Sequence, residues 1–468
     1  MKVEQIYTQC LAEAAYYIES NGEAAIIDPL REVQPYLDLA LANGTKIKYV
    51  FETHFHADFV SGHLDLAAKT GAKIVFGPTA QPNFDAVIAK DNEEFKIGNV
   101  TIKVLHTPGH TMESSTFLLI DEKGKHHAIF TGDTLFLGDV GRPDLAVKTD
   151  LSREDLAAHL YDSLRNKIMP LADDVIVYPG HGQGSACGKN MSSETVDTLG
   201  NQKKFNYALR PDMGKEEFIQ EVTADLVAPP QYFPKNAVMN KMGYDSIDNV
   251  LHRGVLPLDL KEFKQTIDKN KAIVIDARHQ DDFAKGYIPN SLFIGIDDNF
   301  APWVGALIND LQTPIVFIAD EGKEEEVVIR LSRVGYDNTL GFLKGGIETW
   351  KAAGEAVHSI EEIEADQLAN QFETGIKILD ARKESEFGSQ HVEGAENYPL
   401  DFVWDNLDKI SKDTHWFVHC AGGYRSMIMS SILVSNGFKH ITNIKGGFEA
   451  IQKTSIPLTS FKEQVTML

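Results

Sequence analysis

The chain has 468 residues, of which 43% are hydrophobic and 24% are charged. This composition is typical of a globular protein, and the length exceeds what a single hydrophobic core accommodates. The net charge of −23 disfavours nucleic-acid and membrane partners, because an acidic surface repels phosphate groups. MKVEQIYTQC contains no apolar signal core, so we expect a cytoplasmic protein. The three cysteines lack C-x-x-C spacing, which disfavours a disulfide framework or zinc ribbon.

The first 190 or so residues alternate β-rich runs with polar turns and helical stretches. The predicted strands are AYYIESNGEAAIIDP, IKYVFETH, AKIVFGP, VTIKVLHTPGH, SSTFLLID, HHAIFTGDTL and DVIVYPGHG. The predicted helices are VQPYLDLALANG, GHLDLAAKTG and REDLAAHLYDSLRNKI. This pattern predicts an α/β sandwich whose strand ends carry the chemistry. For residues 200–249 we expect one helix and then a Pro-rich extended segment, packed on this domain and leading into a linker.

The remainder of the chain contains an internal repeat. DARHQDDF (276–283) matches DARKESEF (380–387), and FLKGGIETW (342–350) matches NIKGGFEAI (443–451). Between these landmarks, each copy has an apolar strand, a loop and a helix, which predicts two doubly wound α/β domains with parallel sheets. The predicted domains are therefore residues 1–250, 251–357 and 358–468.

Six potential metal ligands follow predicted strands of the first domain: His54, His56, Asp58, His110, Asp133 and His181. Phe59 stands where many H-x-H-x-D loops have another histidine, which weakens a second metal site and favours a mononuclear one. Two imidazoles and one carboxylate with open positions suit a non-haem Fe(II) oxygenase, whereas zinc hydrolysis needs only one open position. The spacing alone does not decide whether His54 or His56 binds the metal.

These strand-end segments, in this order, resemble the metallo-β-lactamase superfamily, which implies an αββα sandwich. THFHAD, HTPGHT, TGDTLF, GDVGRPDL and PGHGQGSACGKN further resemble its iron branch, the persulfide dioxygenases, over residues 1 to about 250. The resemblance implies one Fe(II) per chain, bound by His56, His110 and Asp133. It also implies that His54, Asp58 and His181 orient these ligands through hydrogen bonds.

Two further residues of the first domain have candidate roles. The resemblance implies that Arg142 in GDVGRPDL contacts the carrier thiol, and the alternative is a surface arginine beside Asp139 and Asp144. Gln183 replaces a tyrosine typical of glutathione-type members, which leaves the carrier thiol open. Cys187 is either a redox thiol that receives sulfur or an inert buried thiol.

HCAGGYRS (419–426) follows a predicted strand and precedes a helix. Backbone N–H groups at such a junction stabilise a thiolate and bind an anion. The C-x-x-x-x-R loop resembles both rhodanese sulfurtransferases and cysteine phosphatases, and DAR-x-x-x-E-F with KGGF favours rhodanese. The resemblance implies a catalytic cysteine and arginine and a substrate-binding loop, formed by Cys420, Gly422, Gly423, Tyr424 and Arg425.

The first repeat reads ADEGKEEE (319–326) at the corresponding place. We align Asp320 with Cys420 and Glu325 with Arg425, so this copy is predicted to be catalytically silent. The whole chain then resembles the fused dioxygenase–sulfurtransferases of bacterial sulfide detoxification. That resemblance implies a homo-oligomer that converts a low-molecular-weight thiol persulfide and O₂ to sulfite, and sulfite to thiosulfate. The alternatives are a glyoxalase II-like thioester hydrolase fused to a sulfurtransferase, and a non-enzymatic sulfur carrier.

Overall fold

The computed structural model describes residues 1–146, 151–373 and 375–462. Within the described residues, the chain divides into two compact units: Met1–Ile247 together with Ser332–Gly335, and Asp248–Leu331 together with residues 336–462. In the described part of the chain, no helix is long and apolar enough to cross a membrane.

Two six-stranded sheets form the first unit within the described residues. One contains, in spatial order, β1 (Lys2–Thr8), β2 (Glu13–Ser20), β3 (Glu23–Ile27), β4 (Lys46–Glu52), β5 (Lys73–Phe76) and β6 (Val87–Ile88). The other contains, again side by side in chain order, β7 (Glu94–Ile97), β8 (Val100–His106), β9 (Ser115–Ile120), β10 (His126–Gly132), β11 (Ile176–Pro179) and β12 (Asp197–Thr198). Every predicted strand run contains an observed strand, whereas β1, β6, β7 and β12 were not predicted.

The helices of this unit are α1 (Gln34–Ala42), α2 (His63–Thr70), α3 (Arg153–Ser163), α4 (Leu199–Phe205), α5 (Lys215–Thr223) and α6 (Phe233–Met242). Alternate side chains on each strand face different layers, as the two-residue period of a strand requires. Tyr16 packs between the sheets against Phe130, while Tyr17 packs outward with Tyr36 of α1. Ile129 likewise packs with α3 and α5 on the outer face of the second sheet. The predicted αββα sandwich is thereby confirmed.

Residues 199–242 are more helical than expected. The extended segment predicted around PPQYFPKNAV instead contains α6, which begins at Phe233 with a proline in its first turn. Proline is well tolerated there, because the first helical N–H groups have no partner within the helix. The predicted packing on the first domain is observed, because Met213, Phe218 and Val222 join its core.

The second unit contains two five-stranded sheets among the residues that the structure describes. Their strands are β13 (Pro257–Leu258), β14 (Ile273–Asp276), β15 (Leu292–Phe293), β16 (Ile315–Ile318), β17 (Thr339–Leu343), then β18 (Glu361–Glu364), β19 (Lys377–Asp380), β20 (Glu396–Asn397), β21 (Trp416–His419) and β22 (Ile441–Lys445). Both sheets are parallel and have the same order, β13-β17-β16-β14-β15 and β18-β22-β21-β19-β20. The predicted repeat of doubly wound domains is confirmed.

The helices of the first copy are α7 (Ile247–Gly254), α8 (Leu260–Asn270), α9 (Gln280–Lys285), α10 (Phe300–Leu307), α11 (Glu324–Arg333) and α12 (Gly346–Ala352). Those of the second copy are α13 (Ala365–Asn370), α14 (Glu384–Ser389), α15 (Val403–Asn406), α16 (Tyr424–Ser435) and α17 (Gly447–Ile451). Each DAR motif forms the same buried ion pair, with Arg Nη2 to Asp Oδ2 distances of 2.6 Å in both Arg278–Asp276 and Arg382–Asp380. The motif therefore has a structural role in both copies.

Candidate functional site

Strand ends of both sheets bring the predicted ligand residues to one edge of the sandwich. His54, His56 and Asp58 follow β4, while His110 follows β8. Asp133 follows β10 and His181 follows β11, and all six side chains are buried. The expectation that these segments converge is therefore met.

His54, His110 and Asp133 form the first buried triplet. Each offers one potential ligand atom, and these atoms lie within 4.8 Å of one another. The Oδ2 atom of Asp133 lies 3.5 Å from Nε2 of His110 and 4.0 Å from Nε2 of His54. No N–H or O–H group in the described ranges donates a hydrogen bond to either oxygen of Asp133. Apart from the thiol of Cys187, no described group nearby donates to this carboxylate; a buried carboxylate so poorly satisfied is costly, so its chemistry fits that of a metal ligand.

This triplet differs from the ligand set predicted from the resemblance, which has His56 in place of His54. The Nε2 atom of His56 lies 3.1 Å from Oδ1 of Asp28 and 3.5 Å from Oε2 of Glu52. Burial disfavours the imidazolium, but these carboxylates outweigh it and raise the pKa of His56 to about 9. His56 thus directs Nε2 at Asp28 and Glu52, whereas His54 directs Nε2 at Asp133, so the geometry favours His54 in the first triplet.

Hydrogen bonds at Nδ1 orient both histidines of the first triplet. His110 Nδ1 lies 2.8 Å from the carbonyl oxygen of Arg142, to which it can donate. His54 Nδ1 lies 3.0 Å from the hydroxyl of Thr53, which itself donates to Asp28 at 2.8 Å. Burial lowers the pKa of His54 well below its usual value, with a smaller effect from the neighbouring histidines. Both rings thus present Nε2 towards Asp133, and His54 stays neutral, which is the form that binds a metal.

We expect Thr53→Val to weaken metal binding about 10- to 100-fold, because loss of a hydrogen bond that orients a ligand typically has this effect. The conservative variant Thr53→Ser keeps the hydroxyl and should bind metal as the unmodified protein does. Titration of metal-depleted protein with Fe(II) under anaerobic conditions measures both. Equal affinities for the valine and serine variants would show that this hydroxyl does not orient His54.

A second buried triplet consists of His56, Asp58 and His181, again with potential ligand atoms within 4.8 Å of one another. The Oδ2 atom of Asp58 lies 3.3 Å from Nε2 of His181, and burial raises the pKa of Asp58. Phe59 is fully buried, and its ring centroid lies 4.3 Å from that of His56. An aromatic ring therefore occupies the position from which another histidine would have joined this triplet.

Three residues that were not identified from the sequence stabilise the histidine loop. Asp28 directly follows β3 and accepts hydrogen bonds from the backbone and hydroxyl of Thr53. Glu52 ends β4 and accepts a hydrogen bond from Ser61. Asn240 of α6 donates to the carbonyl oxygens of His56 and Phe59 at 2.8 and 2.7 Å. The acidic ends of two strands were visible in the sequence, but nothing local indicated Asn240.

Cys187 is buried beside the first triplet, and its sulfur lies within 4.8 Å of potential ligand atoms of Asp133 and His181. Burial, reinforced by the negative charge of Asp133, raises the pKa of this thiol well above its usual value. A protonated, enclosed thiol is a poor nucleophile. Burial disfavours a reactive thiolate at Cys187, and both alternatives for this residue stay predictions.

Arg142 is buried with its guanidinium group engaged on all sides. It forms two 2.7 Å bonds to the carboxylate of Asp144 and donates to the carbonyl oxygens of Ala186 and Val227. Beside it, Gly141 lies so close to the first triplet that a Cβ atom there would be 1.9 Å from the carbonyl oxygen of Asp133. Arg142 thus connects this loop to the C-terminal extension, and its predicted contact with the carrier thiol stays a prediction.

Cys420 lies between β21 and α16 and is 1% exposed. The N–H of Gly423 donates to its Sγ atom at 3.1 Å. Gly423 has a φ of 114°, which favours glycine at this turn. One backbone N–H at the helix N-terminus thus faces the cysteine sulfur, and such a position can hold negative charge on a bound group.

Arg425 is held by Glu386 of the DAR-x-x-x-E-F motif. The two guanidinium nitrogens donate to the two carboxylate oxygens at 2.7 and 2.9 Å. Although burial opposes ionisation of Glu386, the pair with Arg425 lowers its pKa below the usual value. The sequence marked Glu386 only as part of a motif, while the structure shows that it fixes the predicted catalytic arginine.

The first copy of the repeat has Ala319 at the place of Cys420. Ile318 pairs with Asp276 as His419 pairs with Asp380, so the next residues, Ala319 and Cys420, correspond. The alignment of Asp320 with Cys420 was therefore wrong by one residue, because loop spacing does not fix strand register. The conclusion is unchanged, since alanine is no nucleophile and α11 begins with Glu324, Glu325 and Glu326.

Comparisons with known proteins agree with this division. Residues 9–181 match the model of the metallo-beta-lactamase superfamily, and residues 259–353 and 364–454 match the rhodanese-like domain. A probable hydroxyacylglutathione hydrolase of Schizosaccharomyces pombe is 31% identical, over 41% of this chain and 79% of its own length. The human mitochondrial persulfide dioxygenase ETHE1 is 30% identical, over 43% of this chain and 71% of its own length.

Among solved structures, a metallo-beta-lactamase from Staphylococcus aureus subsp. aureus COL is 31% identical to this chain. The similarity covers 74% of this chain and 98% of that one, with a TM-score of 0.63. Three further bacterial hydroxyacylglutathione hydrolases match over only 48% to 58% of their own length. The names of the relatives thus include both a hydrolase and a dioxygenase.

Proposed function

We propose that this chain is a persulfide dioxygenase fused to a sulfurtransferase. The premise is that it belongs to the metallo-β-lactamase superfamily and carries two rhodanese-like domains. The observation that carries the proposal is the first buried triplet: two imidazoles held by hydrogen bonds at Nδ1, and one carboxylate that accepts no hydrogen bond from a described N–H or O–H group. This donor set is typical of non-haem Fe(II) oxygenases. The similarity to a human persulfide dioxygenase supports the choice of substrate class.

One Fe(II) per chain would be held by His54, His110 and Asp133. When bound, it would supply the one-electron chemistry that lets O₂ react with a persulfide sulfur. The chain's own residues shape the site. Thr53 and the carbonyl group of Arg142 orient the imidazoles, and Phe59 places an apolar ring where a further ligand would otherwise lie. The reaction consumes one persulfide, one O₂ and one water, and it gives one thiol and one sulfite.

The second rhodanese domain then uses the sulfite. The thiolate of Cys420 attacks the outer sulfur of a second persulfide, and the carrier thiol leaves as the S–S bond breaks. Sulfite attacks the outer sulfur of the resulting Cys420 persulfide, giving thiosulfate and restoring the thiolate. Gly423 and the start of α16 stabilise the negative charge on sulfur at each stage. Because both domains are on one chain, sulfite is formed at a raised local concentration. We further propose that the protein acts in the cytoplasm as a homo-oligomer.

A thioester hydrolase is the second candidate, and the second buried triplet favours it. His56, Asp58 and His181 could contribute to a second metal site, and hydroxyacylglutathione hydrolases are numerous among the relatives. Phe59 and the high pKa of His56 oppose this, because they leave that triplet with few competent ligands.

Metal analysis and oxygen consumption decide between the two candidates. Protein purified under anaerobic conditions should contain one iron per chain and should consume O₂ with a low-molecular-weight thiol persulfide. Sulfite should accumulate when Cys420 is blocked, and thiosulfate should form when it is free. Two zinc ions per chain, or thioester hydrolysis that proceeds without O₂, would instead identify the hydrolase.

A further inference from the structure

The silent rhodanese copy contacts the loop that carries Cys420. Tyr424 is the first residue of α16 and directly follows Gly423. Its hydroxyl donates to the carbonyl oxygen of Gly295, at a distance of 2.7 Å. Gly295 lies just after β15 of the silent copy. The loop that carries Cys420 is thus hydrogen-bonded to the backbone of the first copy, which has alanine in place of this cysteine.

Two further contacts and one close approach fix this arrangement. The ring of Tyr424 meets the ring of Phe293 edge-on, with centroids 5.9 Å apart and planes at 67°. The N–H of Phe293 donates to the hydroxyl of Ser431 in α16 at 3.1 Å. A Cβ atom at Gly423 would lie 3.4 Å from the side-chain amide nitrogen of Gln280, which belongs to α9 of the silent copy. The two copies therefore pack closely both at the Cys420 loop and along α16.

The position of Tyr424 affects Cys420 through one peptide. The N–H that donates to the sulfur belongs to Gly423, so a displacement of the neighbouring Tyr424 backbone changes that bond. Burial, together with Asp298, raises the pKa of Tyr424 well above its usual value, although Arg330 opposes this effect. The phenol thus stays protonated and continues to donate to Gly295 across the working pH range.

We propose that the silent rhodanese copy is a working part of the sulfurtransferase site. In this proposal, Phe293 and Gly295 hold Tyr424 as a positioning residue, so that the Gly423 amide points at the sulfur of Cys420. The inference rests on the proposed sulfurtransferase function and assigns a role in it to the domain that lacks a nucleophile. This domain also supplies charged or polar groups that face the Cys420 loop: Gln280, Asp298 and Arg330.

The test compares Tyr424→Phe with Tyr336→Phe in the full chain. Tyr336 is the matched control, because its hydroxyl also donates to a backbone carbonyl, that of Ile308, but within the silent copy. Alkylation of Cys420 by iodoacetamide is followed against pH by mass spectrometry of the peptide. Tyr424→Phe should shift this profile to higher pH and slow alkylation at pH 7 about fivefold, the factor typical of one neutral hydrogen bond. The rate of thiosulfate formation should fall by a similar factor, with little change in KM.

An unchanged alkylation profile in Tyr424→Phe would overturn the proposal, and so would an equal shift in Tyr336→Phe, which would indicate general loosening. Should Tyr424→Phe not fold, Phe293→Leu removes the ring contact and should shift the profile in the same direction, while no shift would again overturn the proposal. Alkylation needs no turnover. A shifted profile in protein that forms no thiosulfate would therefore contradict the proposed function and leave the positioning role intact.

Discussion

Replacing His54 with alanine is expected to abolish O₂ consumption, with a loss of more than about 100-fold in rate and in iron affinity. Loss of a group that merely orients a ligand costs about 10- to 100-fold, so loss of a ligand should cost more. Iron content after anaerobic loading and oxygen-electrode assays with a persulfide measure the effect. Sulfur transfer by Cys420 in the same preparation should survive, which shows that the protein has folded.

His56→Ala is the matched comparison for this prediction. It removes the neighbouring histidine of the same loop, whose ring lies 3.1 Å from Asp28. We expect this variant to take up one iron per chain at saturating Fe(II), with weaker binding because the loop is less well fixed. If His56→Ala lost its iron while His54→Ala kept it, the ligand set predicted from the resemblance would be correct and the first buried triplet would not be the iron site.

Replacing Cys420 with serine is expected to lower thiosulfate formation by on the order of 10³-fold or more, the scale seen when a catalytic nucleophile is removed. A serine hydroxyl is not ionised at neutral pH and cannot carry the sulfane sulfur. Sulfite should then accumulate in proportion to the O₂ consumed, because Cys420 no longer transfers sulfur to it. Quantification of sulfite and thiosulfate after a fixed amount of O₂ uptake measures this change.

Cys10→Ser provides the control for this variant, because it makes the same chemical change at a cysteine of the turn Gln9–Leu11, which belongs neither to a potential metal-ligand group nor to the Cys420 loop. It should leave both products as in the unmodified protein. A Cys420→Ser variant that stopped consuming O₂ would contradict the separate roles of the two sites. One that still formed thiosulfate at the original rate would mean that sulfur transfer occurs elsewhere in the chain.

The sequence alone predicted the order of the domains, the strands that end in potential metal ligands, and the strand–helix loop that carries Cys420. These features depend on local information, namely the two-residue period of strands, the helical periodicity, and short motifs with their spacing. The repeat was recognisable for the same reason, since DARHQDDF and DARKESEF occupy corresponding places in each copy. Short strands such as β1, β6, β7 and β12 were missed, because weak local patterns become strands through pairing with neighbours.

The tertiary structure alone decided how particular side chains are used. His54 and His56 are equivalent by spacing, and only the buried carboxylates of Asp28 and Glu52 distinguish them. Strand pairing showed that Ala319, and not Asp320, is the residue of the first copy that corresponds to Cys420. The direction of a side chain and the register of a strand depend on contacts between segments far apart in the chain, and no local pattern encodes these contacts.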